Sequence, residues 1–207
     1  GTILTDYSKY ANELLNYVNY YNDNEKLLII TPKYDGCSFE LVFNKLENDK
    51  INIKSISTRG DGEYGKDMML QLKSKFPEHV LFQIYNAVTD YDSFEVILRG
   101  ECLVKHSVFN NKYINKFVNP RAFVAGTLNA DYDKDNLELM TRLDDIDCIV
   151  YDARIKDSND GEQGEWFEYP WTLLSDYIKE YNIKEKNCFS FPSDDVITYI
   201  STTAILN

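Results

Sequence analysis

The sequence predicts an α+β fold of antiparallel β-sheets flanked by helices, and three observations carry that expectation. Residues 39–57 read as two apolar-polar alternating strands joined by a polar turn, the pattern of an antiparallel hairpin. Hairpins and helical stretches are mixed along the chain, which argues against a doubly wound parallel sheet. The 207 residues, 43% apolar and 14% aromatic, are enough for one sizeable domain or two small ones with a packed core.

Tyr10, Leu14, Val18 and Tyr21 recur at helical spacing behind a capping Thr5, so residues 6–22 predict an opening helix and 1–25 an N-terminal helical segment. LLIIT at 27–31 predicts a buried strand. Phe39, Leu41 and Phe43 predict the next, and ENDK at 47–50 turns the chain into the strand INIKSIS. Gly60, Gly62 and Gly65 make a loop leading into a helix with Met68, Met69 and Leu72. A strand follows at 94–104 and a helix at 106–116. Asn119 and Pro120 can start another helix, since proline is tolerated at the first helical position. DCIVYDA at 147–153 predicts a strand and 157–165 a solvated loop, followed by helices in WTLLSDYIKEYN and SDDVITYIS.

No stretch approaches the roughly 20 apolar residues of a membrane helix, and the N-terminus lacks the build of a signal peptide; an intracellular, cytoplasmic protein with no membrane partner is expected. Cys37, Cys102, Cys148 and Cys188 lie far apart with no C-x-x-C pair, so buried free thiols are expected, not zinc or a disulfide framework. His79 and His106 read as ordinary histidines. The net charge of −12, from 34 acidic and 22 basic residues, runs against a nucleic-acid partner, whose phosphates call for Lys and Arg. The acid is concentrated in 131–147 and 157–168, which leaves other faces neutral or basic.

Chemistry-bearing residues begin at Lys33-Tyr34-Asp35-Gly36, after the first apolar strand. A nucleophilic lysine must lose its proton, which partial desolvation and a nearby phosphate pocket favour, while Gly36 admits close backbone approach. Alone, this tetrapeptide reads better as a surface turn. It is followed in order by Thr58-Arg59-Gly60-Asp61-Gly62, by Arg99-Gly100-Glu101, by FVNPRAFVAGTL from Phe117 to Leu128, and by IVYDA with Tyr151. This ordered set, K-x-D-G, T-R-G-D-G, R-G-E and N-P-R-x-x-x-A-G-[ST]-L, resembles the bacterial-type NAD-dependent DNA ligases over residues 5–155, and more loosely over 166–200.

The resemblance implies the ATP-grasp-like nucleotidyltransferase (adenylation) domain of DNA ligases over 26–207, incomplete at its C-terminal end. It implies ligase chemistry in DNA replication or repair: AMP passes from NAD to Lys33, then to the 5'-phosphate of a nick in double-stranded DNA. NAD is the implied AMP donor, with Mg2+. Asp35 would assist Lys33, Arg59 would contact the ribose region, Glu101 would accept from a ribose hydroxyl, Tyr151 would stack on adenine and Arg121 would handle phosphate. Taken by themselves, Arg99 and Glu101 read as a cross-strand ion pair, and Gly100 and Gly126 as positions of close packing.

Two positions depart from the family. Thr31 stands where a glutamate meets the adenine amino group, which leaves a hydroxyl for cofactor binding, and Asn129 stands in place of a second arginine. The family's later lysine motifs and its OB-fold have no counterpart before Asn207. The chain is therefore expected to be a fragment, one subunit of a split ligase completed by a second chain, or a non-catalytic nucleotide- or DNA-binding relative, and poorly active alone.

Overall fold

The computed structural model of the chain describes residues 27–30, 33–58, 65–88, 94–157, 163–166 and 198–201. Two compact units divide it, Gly1–Lys33 with Ser193–Asn207, and Tyr34–Pro192. In the first unit, strand β1 (Leu27–Ile30) pairs antiparallel with β7 (Thr198–Ser201), Leu27 opposite Ser201 and Ile30 opposite Thr198. The expected strand at 27–31 is thus present. Of the helix expected in SDDVITYIS, the last four residues are strand instead, because Thr-Tyr-Ile is β-branched and aromatic and β1 offers it a ladder; the others lie outside the described residues. The helices expected over 6–22 and 171–182 lie outside the described residues.

The second unit is built on a five-stranded antiparallel sheet in the order β3-β2-β4-β5-β6. Its strands are β2 (Cys37–Lys45), β3 (Ile51–Thr58), β4 (Phe94–Leu103), β5 (Asp147–Asp157) and β6 (Gln163–Trp166). The β2–β3 hairpin has the expected turn: Leu46 N–H donates to the Lys50 carbonyl at 2.8 Å, and Asp49 takes the left-handed φ of 61° that closes it. Residues 163–165, the end of the solvated loop expected over 157–165, instead form with Trp166 the edge strand β6, whose backbone pairs with the long β5.

Helices α1 (Met69–Leu72) and α2 (Glu78–Val88) connect β3 to β4; α3 (His106–Lys112), α4 (Pro120–Asn129) and α5 (Leu137–Asp144) connect β4 to β5. They share one core with one face of the sheet. Phe39, Leu41 and Phe43 of β2 and Val96, Leu98 and Cys102 of β4 are buried against Leu72, Phe76, Leu81, Ile84, Tyr85, Phe123 and Leu143. Phe39 meets the Phe76 ring at 5.4 Å and Phe43 meets Tyr85 at 6.4 Å. Each such side chain contributes about 1.5–3 kcal/mol by leaving water.

Helix α3 ends four residues before the expected 116. The chain leaves the helix at Tyr113, whose ring stacks on Phe123 at 4.1 Å and whose hydroxyl donates to Asp145 Oδ2 at 2.6 Å. Burial and that carboxylate push the Tyr113 phenol well up. The same ring fixes α4, since Phe123 is also edge-on to Phe117 at 5.3 Å. Asn119 and Pro120 start α4 as expected: Asn119 Oδ1 accepts the Ala122 N–H at 2.7 Å. Asn119→Ala is expected to cost about 1 kcal/mol and Asn119→Asp almost nothing, as read from urea denaturation midpoints.

Candidate active site

Four segments that the sequence singles out are brought together at the start of β2. The Gly36 N–H donates to Glu101 Oε1 at 3.1 Å across 65 residues of chain, and Glu101 follows from β4, in register with Ser38. A Cβ on Gly36 would collide with the Cys102 carbonyl oxygen and come within 2.7 Å of Leu103 Cδ2, so a glycine is what lets this turn lie on β4. Arg121, in the first turn of α4, donates from Nη1 to Asp35 Oδ1 at 3.0 Å. Both side chains are exposed, 64% and 76%, so the pair contributes less than about 1 kcal/mol and can be traded for an incoming phosphate.

The charges converge on Cys37, the residue after the turn. Burial raises its thiol pKa, Arg121 opposes that rise, and Glu101 and Asp35 add to it. Tyr34, in the turn itself, also has its phenol pushed up by burial. Lys33 is exposed and ends the first unit's N-terminal stretch, Gly1–Lys33; Tyr34 begins the second unit. Thr31 and Arg59 lie outside the described residues.

Tyr151 reaches this region through an irregularity. Along β4 and β5, Arg99 is opposite Asp152 but Gly100 is opposite Val150, so Tyr151 is the extra residue of a β-bulge. Val150 and Ala153 both bury into the core, so the two residues between them, Tyr151 and Asp152, turn to the sheet's other face. That face also carries Glu101, Arg99 and Glu40, each alternating with a core residue. Arg99 and Glu101, expected as a cross-strand pair, lie two apart on the same strand β4, and Arg99 reaches its partner on β2. Its Nε donates to Glu40 Oε2 at 2.9 Å, while Glu101 accepts from Gly36.

Glu40, Asp152 and the nearly buried Arg154 were not singled out in the sequence; only the strand alternation, which sets Glu40 off the core face, pointed to any of them. Gly100 is a packing position, because a Cβ there would collide with the Ile149 carbonyl oxygen and sit 2.5 Å from Phe39 Cζ. The position of Asn129 receives a cation from elsewhere: Lys66 Nζ is 3.0 Å from its carbonyl oxygen and 3.4 Å from Oδ1. Cys102 and Cys148 are buried with their sulfurs 3.8 Å apart, and Cys188 lies outside the described residues.

A carboxylate beside a backbone N–H, a guanidinium that can be released, and an aromatic ring on the same sheet face suit a nucleotide: hydroxyls for Glu101, phosphate for Arg121, a base for Tyr151. Among the described residues no three His, Cys, Asp or Glu side chains form a metal site. No helix among the described residues is long and apolar enough to cross a membrane.

The model of the NAD-dependent DNA ligase adenylation domain matches residues 6–200. A candidate DNA ligase of Invertebrate iridescent virus 6 is 30% identical over 142 residues, covering 64% of this chain and 20% of that protein. The DNA ligase of Sulfurihydrogenibium azorense is 33% identical over 110 residues, 48% of this chain and 14% of its own length. A DNA ligase of Campylobacter jejuni is 32% identical over 111 residues, 50% of this chain and 15% of the relative. The chain therefore spans a fifth or less of the length of these relatives.

Proposed function

The chain belongs to the NAD-dependent DNA ligase adenylation-domain family, and from that premise we propose that it takes AMP from NAD onto Lys33 and passes it to the 5'-phosphate of a nick in double-stranded DNA. The observation that carries the reading is the tie between the lysine-bearing turn and two distant motifs, Gly36 to Glu101 and Asp35 to Arg121. The Gly36 bond ties the turn to the carboxylate that would accept from the ribose, and Arg121 beside Asp35 is the cation that would meet phosphate; Gly36 and Asp35 both lie within three residues of Lys33 in the chain.

In the first step the Lys33 Nζ lone pair forms a bond to the α-phosphorus of NAD. The bond from that phosphorus to the bridging oxygen breaks, and nicotinamide mononucleotide leaves with the electron pair. Asp35, two residues on, is the carboxylate placed to draw the proton from the amine. Tyr151 supports the adenine, Glu101 accepts from the ribose, and Arg121 leaves Asp35 for phosphate; Thr31 and Arg59 complete the nucleotide contacts. Strand joining would also call on the lysine motifs and OB-fold that the resemblance implies, supplied by the same protein or by a partner.

The test is adduct formation by the gene product that carries this chain, with its flanking sequence or completing partner. Mass spectrometry is expected to find AMP on the protein after incubation with NAD and none after ATP. Equal labelling from ATP would reject NAD as the donor.

A further inference from the structure

Beside the nucleotide-facing groups lies a row of charge with no part in that chemistry. Glu40 on β2, Arg99 on β4 and Asp152 on β5 are directly opposite one another in the two registers, so the row crosses three strands. Arg99 stands at its centre, with its Nε on Glu40 Oε2 at 2.9 Å. It also stands at the bulge: the register shift falls between Arg99 and Gly100, and the extra residue opposite is Tyr151. Glu101 is two residues along β4 on the same face.

A bulge leaves one residue without a ladder partner, so its side chain is aimed only as well as its neighbours hold the backbone on either side. Here the neighbour is Asp152. Its half-buried carboxyl is raised by desolvation, and Arg99 is the cation that opposes the rise. A guanidinium presents donors in a planar fork and can serve carboxylates on both flanking strands, which a lysine ammonium does less well.

We propose that Arg99 is a positioning residue: by spanning Glu40 and Asp152 it fixes the β4–β5 bulge and so aims Tyr151 at the base of the bound nucleotide. This rests on the nucleotide site argued above, but its effect on the bulge does not. Arg99 touches no reacting atom. It acts through Tyr151, and loss of either side chain should remove the same interaction.

The experiment uses AMP as the probe and compares the unaltered chain with Arg99→Met, Glu40→Gln, Tyr151→Ala and the double variant Arg99→Met/Tyr151→Ala. Arg99→Met is expected to weaken AMP binding about tenfold, the scale of a base-aromatic stack, and Glu40→Gln by less. In the Tyr151→Ala background, Arg99→Met should add little further loss, because coupled residues are not additive. Hydrogen exchange supplies the readout independent of nucleotide: faster exchange confined to 149–153 and 99–101, with the rest of the sheet protected as before.

Full additivity of the two substitutions, or unchanged exchange at 149–153 in Arg99→Met, would overturn the proposal. Exchange that rises equally throughout the sheet would do the same, since it marks a general stabilising role. If the unaltered chain binds no AMP, the nucleotide site fails as a reading, and the exchange result alone still decides whether Arg99 holds the bulge.

Discussion

Lys33→Arg is expected to leave no detectable AMP adduct, and Lys33→Ala the same, a loss of more than about a thousandfold in each. Attack on phosphorus needs an amine lone pair in line with the leaving group. Neither neighbour can supply one, for Tyr34 is a phenol and Asp35 a carboxylate. Arginine keeps the charge, but its guanidinium stays protonated at any working pH and offers no nucleophile. The comparison separates two roles: a lysine that only holds phosphate would be largely rescued by arginine, whereas a nucleophile would not. The measurement is intact mass after incubation with NAD, followed by peptide mapping of the adduct. An adduct that persists in Lys33→Arg, or maps to Lys45 or another lysine, would reject the assignment.

The parts of this fold that could be read from the sequence are those where one local signal decides the structure. The β2–β3 hairpin follows from the alternation of Phe39, Leu41 and Phe43 and the polar turn after it, and α4 follows from Asn119 and Pro120. Where tertiary pairing decides, the sequence misled. Residues 163–165 read as the end of a loop and Thr198–Ser201 as a helix end, yet each lies in a strand that pairs with β5 or β1, information that no local window contains. Helices α2 and α5 carried signals that passed unread: Val80, Leu81, Ile84 and Tyr85 behind Pro77, and Leu139 and Leu143 behind the capping Asn136. In α5 the surrounding acid masked a narrow apolar stripe.

The candidate site divides in the same way. Lys33, Asp35, Glu101, Arg121 and Tyr151 were legible because their types and order form motifs. The Gly36-to-Glu101 bond, the Asp35–Arg121 pair and the bulge at Tyr151 were not, since they depend on which residues face one another across strands. Arg99 and Glu101 were expected as a cross-strand pair, yet both lie on β4 and Arg99 reaches Glu40 for a simple reason: residues two apart on one strand share a face, but the nearest partner lies on the next strand.

Gly100→Ala is expected to destabilise the fold by about 2–4 kcal/mol and to abolish nucleotide binding, although it adds a single methyl group. The added carbon would be driven into the Ile149 carbonyl oxygen and would lie 2.5 and 2.6 Å from Phe39 Cζ and Cε1. Neither neighbour can yield easily. Ile149 is opposite Glu101 in the β4–β5 ladder, so moving its carbonyl breaks the pairing beside the bulge; Phe39 is 2% exposed and packed on Phe76. Gly100 lies between Arg99 and Glu101, so relaxation there shifts both the bulge and the carboxylate that holds Gly36. Gly126→Ala is the matched control. Its methyl would meet only the edge of the partly exposed Phe117 ring, at 3.2 Å, and alanine favours the helix by about 1 kcal/mol, so stability should stay within about 1 kcal/mol of the original. Urea denaturation of both variants, with AMP binding measured on each, checks the contrast. Equal stabilities for Gly100→Ala and Gly126→Ala would mean that the β4–β5 ladder at the bulge is far more yielding than its close contacts require.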